Sequence, residues 1–368
     1  MTSPRKLEAP HRRLESTPPR VVEKAAVIGY RSAAAALAVV PPVLSRAVVG
    51  GASQLSYLAW PAKRRSSADN FGHVLGLPPT DPRVHRLALR AYREYARYMV
   101  ELMRLPSRPR DELANGIEGD GIDRIIDDWR ASGRAMIVVV GHVGNNEAVG
   151  AAIAGRGYPT NVVADDSSFP ELFEHLRRQR ESWGATMIPW RNLREIFGVL
   201  RRKEILALLV DWGYRGDGIP VRLFGAWTTL PAGPAVLAAK TGAILAPLVI
   251  RRTTSGRFRV ETPGTFTVPS SDPADLQRAT QRIADWLEHT VRAAPQQWYS
   301  FKPMWPTDPA QALELEGRAA EMLAGRQPSP TAPDADAGTA TPGEGTAAPE
   351  APAAPEAPAA PGEGTAAR

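Results

Sequence analysis

At 368 residues and 43% hydrophobic content the chain can bury a substantial core, and the absence of cysteine excludes disulfides, thiolate catalysis and cysteine-based zinc sites. The net charge is +6, but residues 327–368 carry six acids and one base, which leaves +11 on residues 1–326. So basic a body suits anionic partners such as nucleic acid, lipid headgroups or a phosphate-bearing cofactor; its Arg and Lys are spread with no nucleic-acid recognition module, which argues against nucleic acid.

Residues 1–24 are rich in Arg, Pro and Glu and lack the apolar core of a signal peptide, so a disordered, cytosolic N-terminal segment is expected. From Ala25 to Trp60 the composition turns to Ala, Val and Leu. The uncharged run Ser32–Ser45 is 14 residues long and contains Pro41-Pro42. Spanning a bilayer takes roughly 20 apolar residues. Two apolar helices broken at the prolines are predicted to lie in the membrane interface, with Arg31, Arg46, Lys63, Arg64 and Arg65 toward headgroups. A pair of ordinary core helices is the plainer alternative.

His85–Leu105 has helical spacing, with Leu87, Leu89, Tyr92, Tyr95, Met99 and Leu102 as its apolar stripe, and reads as scaffold. Beyond Gly121 helices and strands alternate. Helices are predicted at Ile122–Ser132, Asn146–Ala154, Pro170–Trp183, Leu193–Arg202, Gly233–Thr241 and Asp275–Ala293. Strands are predicted at Ala135–Val140, Thr160–Ala164, Thr186–Ile188, Ile205–Val210, Ile244–Arg251 and Arg257–Glu261. The pattern implies an α/β domain over residues 25–326, with a central, mostly parallel sheet covered by helices on both faces. Ligands of such sheets gather where strands end. Residues 327–368 are almost wholly Ala, Pro, Gly, Thr and Glu, and Thr341-Pro-Gly-Glu-Gly-Thr-Ala-Ala is echoed from Ala360; this tail is expected to be disordered.

The chemistry concentrates at Met136-Ile-Val-Val-Val-Gly-His142-Val-Gly-Asn-Asn-Glu147. The apolar, largely β-branched run predicts a strand buried on both faces. Gly141 and Gly144 permit a sharp turn at its end, which presents His142 at the carboxyl end of the strand. Asn145 or Asn146 can cap the next helix, with Glu147 in its first turn. An imidazole suits proton removal from an attacking hydroxyl, and a carboxylate behind it fixes the tautomer. Two acids qualify: Glu147, close in the chain, and Asp211, which ends the apolar run Ile205–Val210. Read blandly, these three residues are a strand cap, a helix N-terminal acid and a loop residue.

Other chemistries find no footing. No G-x-S-x-G elbow, P-loop or G-x-G-x-x-G occurs. The histidines (His11, His73, His85, His142, His175, His289) are scattered without H-E-x-x-H, so no metal site is expected.

Gly141-His142-x-Gly144-Asn145-x-Glu147 resembles the H-x-x-x-x-[D/E] motif of the bacterial lipid A biosynthesis acyltransferase family, which includes late lipid A acyltransferases and the phosphatidylinositol mannoside acyltransferases of actinobacteria. A second block is similar in order and spacing: Val221-Arg-Leu-Phe224-Gly225, Thr228-Thr229, Gly233, Leu237-Ala-Ala-Lys-Thr241-Gly242-Ala243, Pro247 and Arg251. So is the closing Trp298-Tyr-Ser-Phe-Lys-Pro-Met-Trp305. The resemblance covers about Val27 to Trp305, and departs where Asn146 replaces a common Trp and where Asp211-Trp212 replaces a more usual acid or amide arrangement.

It implies a glycerolipid-acyltransferase-like fold and a peripheral enzyme on an anionic membrane surface, at the cytoplasmic face. The donor would be acyl-CoA or acyl carrier protein, with no cofactor. The acceptor would be a lipid hydroxyl, of phosphatidylinositol mannoside type. His142 would be the base, Asp211 its partner and Glu147 in support, with Arg180 near these acids. Read from the residues themselves, the turn at Phe224 and Gly225 is a candidate lining of an acyl groove. Thr228 and Thr229, with the amides near Gly233, are candidates to hold an oxyanion or phosphate, or the block is an ordinary strand-turn-helix connection. Arg251 and Arg252 either pair with phosphate or are solvated. A lysophospholipid acyltransferase, or a non-catalytic lipid-binding protein of the same fold, are the competing readings.

Overall fold

The computed structural model describes residues 20–109, 112, 115–165 and 170–326. The predicted disordered stretches 1–19 and 327–368 lie outside the described residues; residues 20–24, expected to be disordered, instead open the first helix. There the Glu23 carboxylate accepts the main-chain N–H of Glu171, so helix formation satisfies a donor on a distant segment.

Four helices come first: α1 (Arg20–Val39), α2 (Pro42–Ala59), α3 (Pro61–Leu75) and α4 (Pro82–Arg104). The chain breaks between α1 and α2 at Val40-Pro41, as the prolines predict. Arg104 Nη1 donates to the carbonyls of Leu37 (2.6 Å) and Val40 (2.8 Å), tying the end of α1 to α4. The α2 helix meets α4 through small and polar residues: Ser45, Gly50, Ser53 and Tyr57 are buried, and Ser53 Oγ donates to Tyr92 O at 2.8 Å. Its other face stays exposed and apolar, with Val43 77%, Val48 62% and Leu55 66% exposed. The α1 helix instead packs Tyr30, Val27 and Leu37 into a core cluster with Met99 and Leu102 of α4. Among the described residues no helix is long and apolar enough to cross a membrane.

The α/β body follows: β1 (Ile117–Glu118), α5 (Gly121–Ser132), β2 (Met136–Val140), α6 (Asn146–Gly155), β3 (Thr160–Ala164), α7 (Pro170–Ser182), β4 (Ala185–Pro189), α8 (Leu193–Arg201), β5 (Ile205–Leu209), β6 (Ile219–Leu223), β7 (Ala226–Leu230), α9 (Gly233–Thr241), β8 (Ile244–Pro247), β9 (Val249–Arg252), β10 (Phe258–Glu261), α10 (Pro273–Ala293) and α11 (Pro309–Leu323). Five strands form an all-parallel sheet in the order β4-β3-β5-β2-β8.

All five residues of β2 are buried, and their alternation sorts two cores. Ile137 and Val139 join Ile196 and Val199 of α8, Ala235 and Ala238 of α9, and Ile283 and Leu287 of α10 on one face. Met136, Val138 and Val140 join Ile122 and Ile126 of α5 and Val149 and Ala152 of α6 on the other. Helices thus cover both faces, which is the architecture read from the alternating sequence pattern.

One predicted strand is two. Ile244–Arg251 divides at Pro247: β8 pairs with β2, whereas β9 pairs antiparallel with β10 in a separate sheet of order β1-β10-β9. Proline has no N–H for the ladder, and Leu248 supplies the last main-chain bond to Val139 O, at 2.9 Å, before the chain changes sheets. The β6–β7 hairpin turns on Phe224 (φ 50°) and Gly225 (φ 78°). Positive φ at both central residues is the twist-matched hairpin geometry, here with an aromatic residue where Asn or Asp is usual.

Candidate active site

Strand pairing brings the two ends of the site together. Val140 is in register with Leu209 on the adjacent parallel strand, so His142 and Asp211, each two residues further on, emerge side by side at the carboxyl edge of β2 and β5. His142 Nδ1 lies 2.7 Å from Asp211 Oδ1. The main-chain N–H of His142 donates to both oxygens, at 3.0 and 2.8 Å, and Trp298 Nε1 donates to Oδ2 at 2.8 Å. A carboxylate facing Nδ1 selects the tautomer with the proton there and leaves Nε2 basic. The Asp211 side chain is fully buried while the His142 side chain is 32% exposed, so the base reaches solvent and its partner does not. Burial pushes the Asp211 carboxyl up, but the imidazole and main-chain N–H of His142, together with Trp298, outweigh burial and hold it below the ordinary carboxylate range.

The loop that carries His142 is tightly clamped. Gly144 has φ 69°, and a Cβ there would sit 2.1 Å from Ile250 O, so only glycine fits. Residues 297–299 run antiparallel beside the loop: Gly144 N donates to Gln297 O (3.1 Å), Tyr299 N donates to His142 O (2.8 Å), and Val143 bridges Trp298. Asn145 caps α6 by accepting from Ala148 N at 3.0 Å, and Asn146 Nδ2 donates to Gly141 O at 2.9 Å. Trp212 stands with its ring edge-on to His142, centroids 5.4 Å apart, and Lys302 Nζ lies 5.5 Å from the Trp212 ring.

Several expected site residues are engaged elsewhere. Glu147 does not face His142; Arg180 takes both its oxygens, with Nε to Oε2 at 2.9 Å, because the first turn of α6 points that side chain at α7. Arg180 is itself buried and spends Nη1 on Met187 Sδ at 2.9 Å, so it stands by Glu147 and not by Asp211. Thr228 and Thr229 are buried in the hairpin, their hydroxyls donating to Met304 O and to Arg215 O respectively. Committed to main-chain carbonyls, they are not free to hold an oxyanion. Phe224 packs on Trp298 and Trp305, 6.5 and 6.3 Å between centroids, and Gly225 closes the turn beside it. Arg251 Nη2 pairs with Glu261 Oε1 at 2.5 Å.

Trp298 is the partner that sequence reasoning did not assign. Its signal was present in the Trp-rich closing segment, but nothing local tells which acid its indole reaches. Beneath Gly141, Val140, Val210, Trp286 and Leu287 enclose an apolar space of only about 10 Å³. That is room for roughly one water. Among the described residues no cluster of side chains is arranged to hold a metal ion.

An exposed imidazole, oriented by a buried carboxylate at a parallel sheet's edge, can take a proton from a hydroxyl and return one to a leaving group. Comparison with known proteins gives that capacity a context. The chain is 27% identical over 290 residues to the phosphatidylinositol mannoside acyltransferase of Mycolicibacterium smegmatis, covering 76% of this chain and 91% of the relative. It is 29% identical over 262 residues to the protein of the same name from Mycobacterium tuberculosis, covering 68% and 79%. Residues 20–307 match the bacterial lipid A biosynthesis acyltransferase family, and the chain belongs to that family.

Proposed function

We propose that this acyltransferase moves a fatty acyl group from acyl-CoA or acyl carrier protein to a hydroxyl of a phosphatidylinositol mannoside-type glycolipid, working on the cytoplasmic face of the cell membrane. The observation that carries the reading is the 2.7 Å contact between His142 Nδ1 and buried Asp211 on a ring that remains open to solvent. Nε2 takes the proton of the acceptor hydroxyl as its oxygen attacks the thioester carbonyl. The tetrahedral intermediate then collapses, the C–S bond breaks, and the imidazolium returns the proton to the departing thiolate. No acyl-enzyme, cofactor or metal enters this route.

The setting fits a lipid acceptor. The exposed apolar face of α2, with Trp60 at its end, suits an interface, and each Val or Leu buried there contributes about 1.5–3 kcal/mol. The half-buried Trp212 gives the acceptor an apolar wall beside the base. The names of the actinobacterial relatives direct the choice of a mannosylated acceptor.

The test is mass spectrometry of the lipids formed when the full chain is incubated with palmitoyl-CoA and an actinobacterial lipid extract. A palmitoylated mannoside lipid is expected. Acylation confined to lysophospholipids, or no acylated lipid at all, overturns the reading.

A further inference from the structure

A second cavity, of about 320 Å³, lies away from His142 behind Asn145, between α2, α4, the start of α6 and the turn 254–256 that joins β9 to β10. That volume is in the range of small-ligand sites. Its charged lining is Arg46 from α2, Arg97 and Glu101 from α4, and Arg108 just beyond, three cations against one anion. The single anion is shared among several donors. Glu101 accepts from Arg252 Nε (3.1 Å) and Nη2 (2.6 Å) and from Asn145 Nδ2 (3.0 Å), and Arg252 is buried behind it.

Arg97 Nε also donates to Glu101 Oε1, at 3.3 Å, so one carboxylate is shared between Arg97 and Arg252 and the cavity lining keeps a net positive charge. Burial, and then the charges of Arg252 and Arg46, outweigh the nearby Glu101 and Glu94 and lower the proton affinity of Arg97 below the ordinary arginine value, an effect that a bound anion would offset. Arg108 makes a long contact to Glu112, at 3.8 Å. The N-terminal end of α6 borders the cavity at Asn145 and Ala148 and adds its positive dipole.

We propose that this cavity binds a phosphate group, held by Arg46, Arg97 and Arg108. Three guanidinium forks rooted on separate segments match a tetrahedral anion with several acceptor oxygens better than a planar carboxylate. Arg46 shares α2 with the exposed Val43 and Val48, so a phosphate set in a bilayer surface can reach the cavity while the apolar face enters the interface. A soluble phosphate ester meets the same donors. The inference does not depend on acyl transfer and needs nothing from His142.

The experiment uses the full chain and two probes: inorganic pyrophosphate, by isothermal titration calorimetry, and co-sedimentation with phosphatidylcholine vesicles containing or lacking phosphatidylglycerol. The variant is Arg46→Gln with Arg108→Gln; Arg134→Gln with Arg194→Gln, both exposed and remote from the cavity lining, removes the same charge. Wild type is expected to bind pyrophosphate, and the cavity variant to bind it about tenfold more weakly per arginine removed. Loss of phosphatidylglycerol-dependent sedimentation in the cavity variant assigns the site to a lipid headgroup. Loss of pyrophosphate binding alone assigns it to a soluble phosphate ester. Neither loss, or equal losses in the control variant, overturns the proposal, and because no readout is turnover, the result stands apart from the acyl-transfer reading.

Discussion

Replacing Asp211 with Asn changes one acceptor oxygen into a donor while keeping the shape. The present carboxylate receives only donors: the His142 N–H on both oxygens, Nδ1 on Oδ1 and the Trp298 indole on Oδ2. If the new amide NH₂ took the Oδ2 position it would face the Trp298 and His142 N–H groups, and each buried donor left unpaired costs about 1–3 kcal/mol. It is cheaper to put the NH₂ toward His142 Nδ1, which then must accept. That moves the ring proton to Nε2, where a base is needed. The expected result is a folded protein about 1–3 kcal/mol less stable, with kcat for acyl transfer reduced on the order of 10³–10⁴. That is roughly 4–5.5 kcal/mol of barrier. Thiol release from palmitoyl-CoA in the presence of acceptor lipid, read beside urea unfolding, measures both. A folded Asp211→Asn protein within about tenfold of wild-type kcat would refute the tautomer argument.

Glu147→Gln takes the counter-charge from buried Arg180, so a stability loss of about 3–5 kcal/mol is expected by urea unfolding, with kcat per folded molecule largely kept; intact stability with lost turnover would instead place Glu147 in the chemistry. Gly144→Ala cannot be accommodated against Ile250 O, so the loop must shift, and kcat should fall at least about 10²-fold for a displacement near 1 Å, as steady-state kinetics would show. For pH, the sign follows from the lowered Asp211 pKa: its contribution to stability is complete above the unfolded value near about pH 4 and is lost as pH falls through the folded value. The difference in unfolding free energy between wild type and Asp211→Asn should therefore hold from pH 7 to about 4 and shrink below it; a difference that grows on acidification would contradict the assignment.

What the sequence discloses of the site is what one strand can disclose. The run Met136–Val140 ending in Gly141-His142 is a local signal, and so is the apolar run ending at Asp211, because burial on both faces leaves β-branched and aliphatic residues unbroken. The choice between Asp211 and Glu147 is not local. It is made by β2 and β5 lying adjacent in the sheet, and strand order leaves no mark in either segment. Thr228 and Thr229 show the same limit from the other side: a hydroxyl that serves a substrate and one that closes a hairpin onto a carbonyl are the same residue until the partner is seen. Residues 295–305, which strap the His142 loop and carry Trp298, have neither helical nor strand periodicity, so their role was visible only as a composition rich in aromatics. Proline was the more readable residue. It broke α1 from α2 as expected, and at Pro247 it divided one apparent strand between two sheets.

The central claim is that the imidazole of residue 142 performs the proton transfer, and His142→Ala tests it most directly. Alanine preserves the main-chain N–H that donates to Asp211, and Trp298 still donates to Oδ2, so the carboxylate stays partnered and the protein should remain folded. Measured by transfer of radiolabelled palmitate from palmitoyl-CoA to extracted lipid, with circular dichroism on the same sample, turnover should fall by at least about 10²–10⁴, the usual contribution of a positioned base. A folded His142→Ala protein that labels lipid at the wild-type rate would contradict the account.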